Sequence, residues 1–256
     1  MAKMISPQII TPSTFLPIPL TLTQKSLFNP QFSAISTKPI MKAWFSGKPR
    51  GAPLAATASS TAAVVPGDIA DVLGEVSIFT AAGEPVKFKD LWDQEEGVAV
   101  VALMRHFGCF CCWELASTLR DSKERFDSAG VKLIAVGVGT PNKAQILAER
   151  LPFPLDSLYA DPDRKAYDVM GLYFGLGRTF FNPASVKVFS RGESLKKAMK
   201  NYTIKATPDD KSGVLQQGGT FVFKGKQLLY ARKDEGTGDH APLDDIFDIC
   251  CKVPTV

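Results

Sequence analysis

Seven consecutive apolar residues, Val98 to Met104 (VAVVALM), run without a polar interruption and are followed directly by Arg105-His106-Phe107-Gly108-Cys109-Phe110-Cys111-Cys112-Trp113-Glu114. A run of that length with no alternation suits a strand buried on both faces, so the chain must place a layer on each side of the sheet that holds it. The neighbouring patterns supply those layers. Residues Trp113 to Ser128 set Leu115, Ala116, Leu119 and Phe126 at helical spacing among charged residues, and Gly130 then marks a stop. A second buried strand follows at Val131 to Val138 (VKLIAVGV). Thr140-Pro141 predicts the cap and first turn of a helix running to about Arg150, and Asp161-Pro162 predicts the same for a helix ending near Gly171.

Two hairpins bracket this alternation. Ile78 to Leu91 reads as two extended runs around Ala82-Gly83-Glu84-Pro85, and residues 220 to 231 (TFVFKGKQLLYA) turn at Lys224-Gly225-Lys226. A closing helix carries Leu243, Ile246, Phe247 and Cys250 on one face. The order predicts an α/β domain over residues 68–256, with a central mixed sheet flanked by helices.

Residues 1–67 are of another composition. They contain no Asp or Glu, while holding 6 Lys plus Arg, 15 Ser plus Thr and 9 of the 18 prolines. A basic, hydroxyl-rich, acid-free segment is the composition of an organellar transit peptide, and Ser, Thr and Pro outnumbering the single Arg50 favours a plastid over a mitochondrial address. The mature protein is expected to begin between Gly51 and Gly67. Prolines at 7, 12, 17 and 19 break the uncharged stretch Met4 to Gln24, so no spanning helix is expected there. Residues 68–256 carry 24 Lys plus Arg against 26 acids, a formal −2, which gives nucleic-acid binding no support from a global basic excess. One local excess stands out: Arg178 to Lys205 holds seven Lys or Arg against Glu193 alone, with no strand pattern. It reads as an insertion before the final hairpin. Either it is a solvated helical face, or it docks an acidic protein partner or an anionic membrane surface.

The cysteines carry the chemistry. The five Cys are too few for a disulfide scaffold, yet Cys109, Cys111 and Cys112 fall within four positions where a buried strand gives way to a helix. The partial positive charge at a helix start stabilises a thiolate and lowers a cysteine pKa below about 8.5. Two intervening residues let Cys109 and Cys112 approach as a reversible dithiol. Arg105 and His106 are auxiliary candidates, adding positive charge or accepting a proton. Cys111 has three readings: it resolves an oxidised neighbour, receives glutathione, or packs, and packing is the default. A compact His106, Cys109, Cys111, Cys112 set offers a competing zinc or copper site, with His240, Cys250 and Cys251 far along the chain. Cys250 is expected in the core, with Cys251 off that face. No metal or cofactor is assigned. No phosphate-cradling loop, serine nucleophile motif or separated carboxylate pair competes.

The VALMRHFGCFCCWE stretch, with GEPVKFKDLW before it and GGTFVFKGKQLLY after it, resembles the peroxiredoxin-like 2 family, in particular its plant chloroplast members, over about residues 70 to 251. The resemblance implies a thioredoxin-like fold. It also implies a chloroplast thiol-disulfide oxidoreductase or weak thiol peroxidase with an antioxidant role, soluble in the stroma and reduced by thioredoxin or glutathione. Against ordinary peroxiredoxins, Cys112 occupies the peroxide-reactive position, Cys109 replaces the activating threonine and Arg105 the proline. Gly218-Gly219 stands where thioredoxins carry a cis-proline. Two orders of attack follow: in thioredoxin-type exchange Cys109 attacks and Cys112 resolves, whereas in peroxide chemistry Cys112 becomes a sulfenic acid that Cys109 captures. A non-enzymatic redox-sensing module and a Cys/His metal-binding module are the alternatives.

Overall fold

The computed structural model describes residues 66–250. The expected transit segment lies outside them except for its last two positions, and Cys251 lies outside as well. Helix α1 (Pro66–Gly74) leads into the hairpin of β1 (Ser77–Thr80) and β2 (Pro85–Lys87). Gly83 closes the turn at φ 97°, where a side chain would be strained. Then come β3 (Val98–His106), α2 (Phe110–Asp121), α3 (Lys123–Ser128), β4 (Val131–Val138), α4 (Pro141–Arg150) and β5 (Leu158–Ala160). The remainder is α5 (Lys165–Val169), α6 (Leu176–Phe180), a 3-10 segment Pro183–Arg191, α7 (Gly192–Met199), β6 (Gly219–Lys224), β7 (Gln227–Lys233) and α8 (Leu243–Cys250).

The strands form one mixed sheet in the order β2-β1-β5-β4-β3-β6-β7. As its apolar run predicts, β3 is interior and all nine of its residues are buried. It pairs in parallel with β4, Val98 opposite Val131, and antiparallel with β6, Val98 opposite Lys224. Its side chains divide between two cores. Val98, Val100, Ala102 and Met104 join Trp113 and Leu119 of α2, Phe126 of α3, Leu147 of α4 and Phe247 of α8. Ala99, Val101 and Leu103 join Leu73 of α1, Phe88, Tyr167 of α5, and Phe221 and Phe223 of β6. Each large apolar side chain so buried contributes roughly 1.5–3 kcal/mol, which makes β3 a rigid base for whatever its C-terminal end presents. Strand and helix alternation, the two hairpins and the closing helix are as the sequence predicts.

Four boundaries differ. The helix expected over 113–128 starts earlier, at Phe110, and breaks at Ser122 (φ −101°, ψ 0°) into α2 and α3. Thr140 precedes α4 without a side-chain cap bond. Asp161 does cap, its carboxylate accepting from the N–H groups of Lys165 at 3.2 Å and Ala166 at 2.9 Å, so the helix begins three residues beyond Pro162. β5, at three residues, is too short to leave a periodic signal.

The basic stretch is an insertion between β5 and β6, as expected, but not merely a solvated face. α7 packs on α2, Ala198 is buried, and Leu195 and Tyr202 pack against the main core. Its inner face is structural and its outer face basic.

Candidate active site

β3 delivers Arg105 and His106 to the end of the sheet, and the chain turns through Phe107 and Gly108 into Cys109, the extended N-cap residue of α2 (φ −88°, ψ 118°). The turn is tied down from three sides. Cys109 N–H donates to His106 O at 3.0 Å. The Trp113 indole donates to Phe107 O at 2.6 Å, and the Tyr202 hydroxyl donates to Gly108 O at 2.9 Å. Glycine is required at 108 because a Cβ there would lie 2.5 Å from Thr207 Cα. Near 219 the backbone is equally tight: a Cβ on Gly218 would lie 2.5 Å from Leu103 O. Glycine therefore stands at the start of β6 to let it approach β3.

The structure brings together the three cysteines and Arg105. The Arg105 guanidinium is fixed by Nε–H to Gln216 O at 3.0 Å and Nη2–H to Val214 O at 2.7 Å, and its Nη1 donates to Cys109 Sγ at 3.4 Å. Cys111 and Cys112 are its neighbours, and their thiols favour the Cys109 anion. These two neighbours, aided by the Arg105 charge, outweigh burial and hold the Cys109 thiol well below its ordinary range. The position at the start of α2 adds the helix dipole. The same contact works against these neighbours: it raises Cys111, with burial second, while burial first and then the contact raise Cys112. The charge is thus favoured at Cys109 and disfavoured at Cys111 and Cys112.

Access separates the two members of the expected dithiol. A cavity of about 510 Å³ opens over Cys109 and Cys111, walled mainly by Phe110, Phe180, Val188 and Leu195 with Arg105 at its edge. Cys112 is fully buried beneath it. His106 also borders the cavity, but burial lowers its pKa to about 4, so at neutral pH it is uncharged, and its Nδ1 is an unpartnered buried nitrogen. It lends no full positive charge near pH 7. Cys250 is buried in the main core, as expected. Among the described residues, no three His, Cys, Asp or Glu side chains are grouped so as to hold a metal ion.

Sequence reasoning missed a buried pair beside α2. His240 Nδ1 lies 3.0 Å from Asp234 Oδ2, and His240 Nε2 lies 3.3 Å from Cys111 O. Each ring nitrogen faces an acceptor, which only the doubly protonated imidazolium satisfies. Burial opposes that charge, but the Asp234 bond and charge outweigh it and raise the His240 pKa. Glu114, also buried, accepts from Ser194 Oγ at 2.5 Å and pairs with Arg191 at 3.3 Å, tying α2 to the insertion. The only available signal was His240 being one of two histidines in the chain.

A helix-start thiolate with neighbouring thiols at the end of an interior strand, in a mixed sheet covered on both faces, is the arrangement of a thioredoxin-like thiol protein. Residues 118–236 match the family model described as AhpC/TSA antioxidant enzyme, a span that begins after the cysteine cluster. The thioredoxin-like protein AAED1, chloroplastic, of Arabidopsis thaliana is 34% identical over 200 residues, spanning 77% of this chain and 79% of that protein. Human peroxiredoxin-like 2C is 24% identical and covers 77% of this chain and 91% of its own. The prostamide/prostaglandin F synthase of Bos taurus is 28% identical, with 70% and 86% covered. The chain belongs to the thioredoxin-like AhpC/TSA antioxidant family. Among the described residues, no helix is long and apolar enough to cross a membrane.

Proposed function

We propose that this chain is a chloroplast thiol peroxidase in which Cys109 attacks and Cys112 resolves. The observation that carries the reading is the inequality of the thiols: Cys109 lines the cavity beside Arg105, which favours its anion, whereas Cys112 does not line it and is fully buried, which disfavours its anion. From sequence, attack by Cys109 belongs to disulfide exchange and attack on peroxide to Cys112; this geometry favours Cys109 as the attacking sulfur for the peroxide step as well. The Cys109 thiolate attacks the distal oxygen of a hydroperoxide. A sulfur–oxygen bond forms, the peroxide bond breaks, and the alcohol leaves after taking a proton from solvent. Cys109 is then a sulfenic acid; attack by the Cys112 sulfur expels water and gives a disulfide. An external dithiol of thioredoxin type returns both to thiols by exchange. Arg105, anchored on two carbonyls, holds positive charge beside the reacting sulfur without reorganising. The apolar walls suit an organic hydroperoxide better than a fully hydrated small one. Residues 1–67 would direct import into the plastid and be removed, leaving the domain in the stroma.

Intact-mass analysis after one equivalent of peroxide tests the roles. The wild type should lose two hydrogens, Cys112→Ser should accumulate a sulfenic acid at Cys109 that dimedone traps, and Cys109→Ser should be unmodified. Trapping at Cys112 in Cys109→Ser would reverse the assignment.

A further inference from the structure

Among the described residues, nine large apolar side chains are exposed, and seven of them are Phe110 and residues within 174–204. Phe180 is 65% and Phe181 82% exposed. Such concentration is not ordinary surface scatter, which leaves single apolar residues among polar ones. Apart from Phe110 they belong to one segment of the chain, and two of the seven meet at the cavity. Phe110 and Phe180 line the cavity over Cys109 beside Leu195 of α7, and Tyr202 is bonded to Gly108 O in the cysteine turn. The same stretch holds the basic excess. Arg178 and Arg191 are paired with Glu235 and Glu114; Lys196, Lys197, Lys200 and Lys205 are exposed, with Lys196 meeting Glu193 at 2.9 Å and Lys197 only loosely facing Asp121 at 3.9 Å.

Exposed phenylalanines and exposed lysines within one segment are the composition of an interfacial surface: rings enter the boundary between headgroups and acyl chains while ammonium groups meet anionic headgroups. We propose that Phe110 and residues 174–205 form a docking surface for an anionic lipid bilayer. The charge pattern decides among occupants. A second copy would bring like-charged faces together. The chain's own residues 1–65 contain no acid to meet the lysines. An acidic protein would satisfy the lysines but leave Phe180 and Phe181 without apolar cover. Docked in this way, the cavity mouth faces the acyl region. The surface shares Phe110 and Phe180 with the cavity wall but does not rest on the reaction assigned to Cys109, and its test reads binding alone.

Co-sedimentation of the full chain with vesicles of phosphatidylcholine alone, or of phosphatidylcholine with phosphatidylglycerol, is the experiment. Binding to the anionic vesicles only, weakening as salt is raised, is expected. Phe180→Ser/Phe181→Ser should bind at least about tenfold more weakly. Lys197→Gln/Lys200→Gln should lose about fivefold per lysine. All four substitutions are at exposed side chains, and unchanged melting temperatures would show the fold intact. No binding by the wild type overturns the proposal. So does full binding by both variants, which would assign the attraction to the basic residues before position 66. Tight binding to polyglutamate without vesicle binding would overturn it in favour of an acidic protein partner.

Discussion

His240 and Asp234 form an ion pair inside the protein, Nδ1 to Oδ2 at 3.0 Å, beside the helix that Cys109 caps. The second ring nitrogen holds the carbonyl of Cys111 in the first turn of α2. Through that contact the pair supports the cysteine turn without touching a sulfur.

Replacing His240 by Gln should therefore destabilise the fold in a pH-dependent manner. Asp234 and Cys109 act on the imidazole as anions and Arg191 as a cation, Asp239 and Arg232 act on Asp234, and Glu114 lines the neighbouring pocket. The folded pKa of His240 is raised, so its contribution is complete below its unfolded value of about 6.5 and is lost as pH rises through the folded value. Urea unfolding of wild type and His240→Gln should show a wider stability gap at about pH 6 than at about pH 9. A gap independent of pH would mean that the imidazole is neutral in the fold.

Arg105→Lys should slow the thiol rather than unfold the protein. Lysine keeps the charge but lacks the fork that reaches Gln216 O, Val214 O and Cys109 Sγ together. The pH profile of iodoacetamide reaction at Cys109, followed by peptide mapping, should move upward toward the free-thiol value of about 8.5. An unmoved profile would place the stabilisation in the Cys111 and Cys112 neighbours alone.

Gly108→Ala should separate the insertion from the site. Its methyl would meet backbone, Thr207 Cα at 2.5 Å, and not the tip of a flexible side chain. A loss of about 1–3 kcal/mol is expected in denaturant titration, together with faster hydrogen exchange over residues 202–207. Exchange that changes elsewhere but not there would contradict the packing.

Trp113→Phe removes the indole donor from Phe107 O, a bond of 2.6 Å inside the core, and the edge-on contact with Tyr202. Leaving that carbonyl unpaired should cost about 1–3 kcal/mol, read as a lower urea midpoint at an unchanged slope.

The site was legible where chemistry is local in the chain. Cys109, Cys112 and Arg105 lie within eight positions, and the strand before them declares itself by an apolar run, so both the elements and the cluster follow from sequence. The β1–β2 and β6–β7 hairpins are equally local, marked by their glycines. What escaped was long-range. Gln216 and Val214 contribute backbone carbonyls, which have no residue signature, and reach Arg105 from more than a hundred positions away. Asp234 and His240 acquire meaning only when β7 and the loop after it return beside α2. The break at Ser122 was hidden because an apolar face continues across it from Leu119 to Phe126.

The sheet also limits how copies of this protein could join. Its two margins are β2, three residues opening with Pro85, which has no amide hydrogen to offer a neighbour, and β7, which ends in Arg232-Lys233. Both are poor templates for an added strand. Polymerisation by edge-to-edge growth is discouraged at each side, and any self-association would have to be built from helices or loops instead.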